Sequence, residues 1–530
     1  MKGRISSVVG ASALLCTICT ILLTIPSSFT PSLSARHRDD DKAIVHVLNR
    51  MAFGPKPGDV ERVRSIGVDR FIDEQLHPER IRDAEVSSHL TGLESVTMSS
   101  RAIAQSYELP QIEAKKEVRQ EAKQAAATSA DAALKPDPAQ KRANEVVVEL
   151  SEQKILRAIY SERQLQEVLT DFWFNHFNVD ARKGPDRFML TEYERETIRP
   201  RVLGKFRDLL GATAKSPAML FYLDNWLSVD PNRPRPPQNP NAPKGLNENY
   251  GRELMELHTL GVDGGYSQKD VTEVARAFTG WTIDRPRQGG GFTFNPRVHD
   301  PGQKIVLGHI IKAGGGESDG EQVLDILATH PSTARFIATK LVRRFVSDAP
   351  PQSLVDRAAT RFRETDGDLR EVLRTILTSP EFMSADAYRA KVKTPFEFVV
   401  SSVRAMGADV QDAVVLVRTL QQLGMPLYMC QPPTGYKDTA DGWVNTGALV
   451  NRMNFALRLS SGQLPGVMVG DLESSTLLSD PSGNEGPDRV IVSTLLGNDA
   501  SDSTRATIAR AGRAPQMAAL TLGAPEFQRK

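Results

Sequence analysis

Apolar residues recur at helical spacing over most of this chain. Across residues 41–51, Ile44, Val47, Leu48 and Met51 share one face; Phe53-Gly54-Pro55 ends the run, and Pro57-Gly58-Asp59 opens a second helix with Val60 and Val63. The period fades over 110–145, where Ala, Lys, Glu and Gln dominate. That composition predicts a solvated helical arm or a partly disordered insert, broken at Lys135-Pro136-Asp137-Pro138. The helical period returns from Glu145 to Ala181, with Leu165, Val168, Leu169, Phe172, Trp173 and His176 on one stripe. The proline-rich stretch 231–243 fits neither helix nor sheet interior and reads as an extended loop. Helices follow over 247–260, stopped by Gly261, and over 267–280.

Between 290 and 312, short β-branched and aromatic runs lie between Gly and Pro, the pattern of a small hairpin. Helical spacing resumes at 320–328, 333–347, 354–364 and 368–377, and two or three further helices over 395–460 surround the loop Gly424–Trp443. The last 65 residues are patterned more weakly. One echo stands out: Leu377-Thr-Ser-Pro-Glu-Phe382 recurs as Leu522-Gly-Ala-Pro-Glu-Phe527, each closing a helical run. The pattern predicts a mainly α protein, a large multi-helix body with a small β-hairpin insertion. Its expected divisions are a leader at 1–35, an N-terminal helical region at 36–109, the charged insert at 110–145, the main body at 146–465 and a C-terminal region at 466–530.

The leader changes the composition. Lys2 and Arg4 precede the apolar run Val8–Leu23, and Leu33-Ser34-Ala35 offers small residues for cleavage, the order of a secretory signal. An uncleaved N-terminal anchor is the alternative, since the apolar run approaches spanning length. The whole chain has 530 residues, 66 basic and 65 acidic. Loss of 1–35 removes two basic residues and no acid, leaving 64 against 65 and a net charge of −1. A chain so balanced lacks the clustered basic excess of a long nucleic-acid surface. Of three cysteines only Cys430 remains, so no disulfide framework is expected. These features imply an exported protein, periplasmic or extracellular, touching a membrane only through its N-terminus if that segment is retained.

The chemistry-bearing residues concentrate in a few segments. Over 247–260, Glu248, Arg252 and Glu256 are spaced i, i+4, i+8, while Asn249, Glu253 and Glu256 form an adjoining polar stripe. Two readings stay open: an ion-pair ladder centred on Arg252, or a carboxylate-rich cleft wall suited to holding a cation or to acid–base work. His258 lies about 200° around the helix from Glu256, so the two are not paired metal ligands on one regular helix. His176, one turn beyond Phe172, faces the interior, either as a core histidine with satisfied nitrogens or as a ligand. His299-Asp300 sits in the hairpin region, where the carboxylate can orient the imidazole. The 247–260 segment holds no zinc or di-iron spacing, and no phosphate loop or dinucleotide fingerprint is present in the chain. The sequence therefore names no cofactor and no confident metal site. Cys430 reads as a reactive thiol or, more blandly, as a small buried hydrophobe.

The chain resembles the bacterial family known as domain of unknown function 1800. The resemblance rests on His46-Val-Leu-Asn-Arg-Met-Ala-Phe-Gly-Pro55, Phe172-Trp-Phe-Asn-His-Phe177, Arg199–Leu210, Ser216–Asn225 and Asn247–Val262. Gly265-Tyr266, Phe278-Thr-Gly-Trp281, His299-Asp300, Ser379–Phe382 and Lys393–Glu397 extend it over about 42–460. It implies a large, mainly helical, usually exported protein and a secreted partner of the family known as domain of unknown function 1501; it carries over no activity and no catalytic residue. The leading expectation is an exported protein with a polar cleft that acts with that partner. The cleft would be built from Asp224, Asn225, Asn247, Glu248, Arg252, Glu253, Glu256 and His176, with Trp281 as a further binding candidate. The rivals are a metal-dependent or carboxylate-based hydrolase drawing on His176, His258, His299 and Asp300, and a structural envelope protein.

Overall fold

Helices form where the apolar period is strong, and the computed structural model describes them over residues 41–125, 138–233, 245–470, 472 and 486–530. The leader at 1–35, the break at Lys135–Asp137 and most of the proline-rich loop lie outside the described residues. Asp41–Met51 buries Ile44, Val47, Leu48 and Met51, and Gly58 at φ 90° begins Asp59–Ile66. The charged insert is helical where described: Leu109–Ala125 runs into it, and Pro138–Tyr160 leaves it with Pro138 at its first position. Ile103, Tyr107, Ala143, Val146 and Phe188 form a small separate core at the base of this arm.

One main core joins residues from Ile44 to Phe527, including Trp173, Phe206, Tyr250, Leu341 and Phe396. Trp173 and Phe206 are fully buried, and truncating either to Ala costs about 3–5 kcal/mol. The C-terminal region belongs to the same core. Ala514–Gly523 packs along Thr446–Ser460 and carries Leu522 into it. Phe382 and Phe527, the ends of the echoed string, are both buried.

The β structure is small. Trp281–Ile283 pairs antiparallel with Phe292–Phe294, Lys304–Val306 with His309–Ile311, and Asp409–Val410 with Val467–Met468. The expected single hairpin near 290–312 is thus two ribbons, because Pro301-Gly302 separates the aromatic run from the β-branched one. Among the described residues no helix is long and apolar enough to cross a membrane.

The segment 247–260 is not one regular helix. Glu248–Glu253 is α-helical, but Leu254–Thr259 widens to a π-helical turn in which Thr259 Oγ1 donates to the Leu254 carbonyl, 2.7 Å. The wider turn moves Glu256 and His258 off the 3.6-residue spacing that the sequence pattern assumed. Gly251 lets this helix approach Gln268–Ala277, since a Cβ there would lie 3.0 Å from the Val271 carbonyl oxygen.

Candidate functional site

A polar cavity of about 440 Å³ opens between the helix Pro331–Phe345 and the loop around residues 434–441. Pro331 at the first position and His330 as N-cap start that helix; His330 Nδ1 accepts from the Ser332 N–H at 3.1 Å. Ala334, Ile337, Ala338, Leu341, Val342 and Phe345 are buried along its inner face. That anchoring sets Lys340, Arg343 and Arg344 on the flank facing the cavity.

The opposite wall is held by the end of Gln164–His176. Asn175 Nδ2 donates to the Tyr436 carbonyl at 2.9 Å, and its Oδ1 accepts from the Tyr436 N–H at 2.7 Å. Asn178 Nδ2 donates to the carbonyls of Cys430 and Pro432, each 2.9 Å, and the Tyr222 hydroxyl donates to that of Gln431 at 2.7 Å. Gly435 sits at φ 72°, and a Cβ there would lie 2.3 Å from the Asn175 carbonyl oxygen. Glycine is required at that turn on both counts.

The cavity's charges divide into answered and unanswered ones. Asp171 is bridged by Lys154 at 2.7 Å, and Lys437 pairs with Asp441 at 2.6 Å. Arg344 is spent on Glu397. Lys340 and Arg343, one helical turn apart, make no hydrogen bond or ion pair among the described residues; the Lys340 ammonium lies 5.4 Å from the centre of the Phe336 ring. Burial lowers the Lys340 pKa to about 8, with Arg343 lowering it further and Asp438 opposing.

His176, buried in the same wall, places Nε2 3.1 Å from the His258 carbonyl oxygen. A carbonyl only accepts, so Nε2 carries the proton and Nδ1 holds a free lone pair, which has no partner in the structure. Burial, then the positive charge of Lys340, keep His176 neutral, with a pKa well below the ordinary histidine range. The same two causes lower that of His258 to about 3.

Behind the cavity lies a buried ionic cluster in which cations outnumber anions. Thr394 and Glu397 form a capping box on Pro395–Ala405, which explains the string Lys393-Thr-Pro-Phe-Glu397. Glu397 also accepts from Arg344 and Lys530, and these cations hold its carboxyl far below the usual range although burial opposes them. Lys391 binds Asp348 at 2.6 Å. Arg50 and Arg452 reach mainly backbone carbonyls, those of Ala387 at 2.5 Å and Lys393 at 2.8 Å respectively. Burial brings Lys393 and Lys530 down to about 7. Six basic side chains therefore share this region with Glu397, Asp348 and Asp438.

The residues singled out from sequence fall in several places. Glu253 lines a second cleft, about 650 Å³, with Asp180, Arg182, Lys183, Tyr222 and Asn249. Its carboxyl pKa is raised by burial and by Glu256. Asp224 sits near that cleft, bridged to Lys183 at 2.8 Å. Asn247 caps the 248–253 helix and donates to the Leu223 carbonyl at 2.8 Å. Glu248 accepts from Gln268 at 2.8 Å and Thr272 at 3.0 Å, Arg252 donates to Gln268 at 2.7 Å, and Glu256 accepts from Tyr266 at 3.0 Å. The i, i+4, i+8 ladder is thus replaced by bonds to the 266–272 segment. Asn225 is fully buried and donates to the carbonyls of Phe278 and Trp281 at 3.2 and 3.1 Å. Trp281 is buried where a Cβ on Gly320 would come within 2.5 Å of its ring.

His299 stands apart in a buried group. Its Nδ1 lies 2.7 Å from the Thr279 carbonyl and its Nε2 3.1 Å from Asp319, which Lys304 also bridges at 2.6 Å. Asp300 is held by Arg276 at 2.7 Å and, against the effect of burial, its carboxyl stays below the usual range. Cys430 is buried, and burial pushes its thiol up to about 11, which suits packing better than nucleophilic work. Among the described residues no three His, Cys, Asp or Glu side chains come together as a metal-ligand group. Of the sequence candidates, then, His176 lines the first cavity and Glu253 the second, while Lys340, Arg343, Asn175 and Asn178 were not singled out. Lys340 and Arg343 carry only a weak signal, an i, i+3 basic pair on a helix that also holds Arg335 and Arg344.

The chain belongs to the family described as Protein of unknown function (DUF1800), whose model matches residues 46–529, in line with the motifs read from the sequence. No curated protein and no solved structure matches it.

Proposed function

We propose that this is an exported binding protein whose cavity beside Pro331–Phe345 takes a small anionic ligand, and that it works with a secreted protein partner. One observation carries the ligand reading: Lys340 and Arg343 line one cavity and neither makes an ion pair or hydrogen bond among the described residues, Asp438 acting on Lys340 only from a distance. Unpaired cations held in a partly desolvated wall cost free energy that a bound carboxylate or phosphate offsets, by charge-assisted hydrogen bonds. The cation excess behind the wall adds a positive field focused into the opening. His176 Nδ1 supplies an acceptor for a ligand O–H or N–H. Export rests on the order of charge, apolar run and small residues in the leader.

Titration calorimetry of the full chain with inorganic phosphate and with small carboxylates tests this. The expected result is saturable binding that Lys340→Met and Arg343→Gln each weaken by about tenfold or more. Binding is also expected to fade as pH rises past the Lys340 pKa of about 8, the groups facing that ammonium being Asp438, Arg343, His176 and His258. No binding by any of these anions, or binding by both variants as tight as that of the unmodified chain, overturns it.

A further inference from the structure

We propose that Lys340 is a carbonyl-capturing amine, condensing with a small oxo acid whose carboxylate rests on Arg343. This deepens the anion reading, on which it rests, by naming the class of ligand. The other lysines at or near this cavity are committed: Lys154 to Asp171, Lys391 to Asp348 and Lys437 to Asp441. Lys340 alone among them faces the cavity without a carboxylate, against the Phe336 ring. Lys393 and Lys530 are also desolvated, but neither lines the opening, and Lys530 is held by Glu397.

The chemistry needs a free amine, and burial supplies it. With its pKa lowered from 10.5 to about 8, Lys340 offers a few hundred times more unprotonated amine at neutral pH than an ordinary lysine, by roughly 2.5 logarithmic units. Desolvation beside a second cation is a recognised way to activate a lysine. Nζ adds its lone pair to the carbonyl carbon, forming the C–N bond while the carbonyl π pair moves to oxygen. One Nζ proton passes to that oxygen, the carbinolamine then expels its hydroxyl as water with a second proton, and a C=N bond remains. No oxidant or reductant enters. His176, neutral and with an unpartnered Nδ1, lines the same cavity from the opposite wall and can accept and return those protons. Arg343, three residues from Lys340, is placed to bind a carboxylate near the carbonyl.

The test treats the full-length protein with pyruvate and sodium borohydride, then reads intact mass and maps the modified peptide. The expected result is a single reduced adduct on Lys340, absent from Lys340→Arg, with Arg343→Gln needing about tenfold more pyruvate for half-modification. His176→Gln should slow adduct formation by a larger factor than it weakens reversible binding of lactate, which lacks the carbonyl. Calorimetry with lactate on the same preparations separates the two readings. Lactate binding without a Lys340 adduct overturns the imine and leaves the anion site standing. An adduct that persists in Lys340→Arg, or spreads over many lysines, overturns it too. No lactate binding and no adduct remove both.

Discussion

The 247–259 segment and the Pro331–Phe345 helix invite comparison because both crowd charge onto one short stretch. In the first, Glu248, Arg252 and Glu256 are each answered by Gln268, Thr272 or Tyr266 from the next segment. In the second, Lys340 and Arg343 are left unanswered on a cavity wall. Charge density along a sequence thus says little about where a ligand can bind. What matters is whether the fold brings a partner to each charge, since an exposed answered pair contributes only about 0.2–1 kcal/mol and leaves nothing for a ligand.

The sharpest way to break that comparison is to move the loop that closes the cavity. Gly435→Ala forces a Cβ into the Asn175 backbone at a left-handed turn, and should lower stability by about 3 kcal/mol, by strain and overpacking together. Gly265→Ala, at φ 84° with open space around it near the carboxylate segment, should lose only about 1 kcal/mol. Denaturant midpoints of the two variants check this; equal losses would mean that the loop is not clamped.

Much of the fold was legible in the sequence because helical periodicity and capping are local. Asp41–Met51 and Leu369–Leu377 start and stop where the apolar stripe and caps predict. The π-helical turn at Leu254–Thr259 was not legible, since its cause is tertiary: Thr259 bonding back to Leu254 while Gly251 packs on Val271. The site was less legible still. His176 was visible as an inward histidine, but its free Nδ1 depends on the His258 carbonyl, which lies 82 residues away. Asn175 and Asn178 looked like ordinary polar residues within an aromatic run, and only the fold shows them fastening the 430–436 loop.

Acid offers a second, somewhat smaller test. His46 and His258 are buried, burial being the main cause of pKa values near 3 in the folded chain, against about 6.5 when unfolded. Between those values the unfolded chain binds more protons, so stability is full above pH 6.5 and falls as pH drops toward 3. Each histidine contributes about 1.4 kcal/mol per pH unit in that window. His258→Gln should flatten the fall in thermal melts from pH 6.5 to 4.5, and an unchanged slope would place His258 in contact with water.

The cavity wall should show a trade-off that the carboxylate segment lacks. Lys340→Met removes a desolvated, unpaired cation, and should raise stability by about 1 kcal/mol while it weakens phosphate binding by about tenfold or more. A melt that falls instead, with binding retained, would mean that Lys340 is answered in solution.

The smallest expected effect falls on the residues the sequence made most conspicuous. Glu256→Gln keeps an acceptor for the Tyr266 hydroxyl, so its cost should stay within about 0.5 kcal/mol. Glu253 is the informative one, because it lines the second cleft and its carboxyl is raised by burial and by Glu256. Glu253→Gln removes a half-buried charge and its repulsion with Glu256, so stability should hold or rise slightly at pH 7. That small gain should vanish on acidification, as Glu253 protonates in the unmodified chain. Anion affinity, read by the same calorimetry, should be unchanged in both variants, because neither residue lines the Lys340 cavity. If Glu253→Gln instead erased binding while the fold stayed intact, the comparison would invert: the carboxylate segment would hold the ligand, and the cations at Lys340 and Arg343 would only shape the field around it.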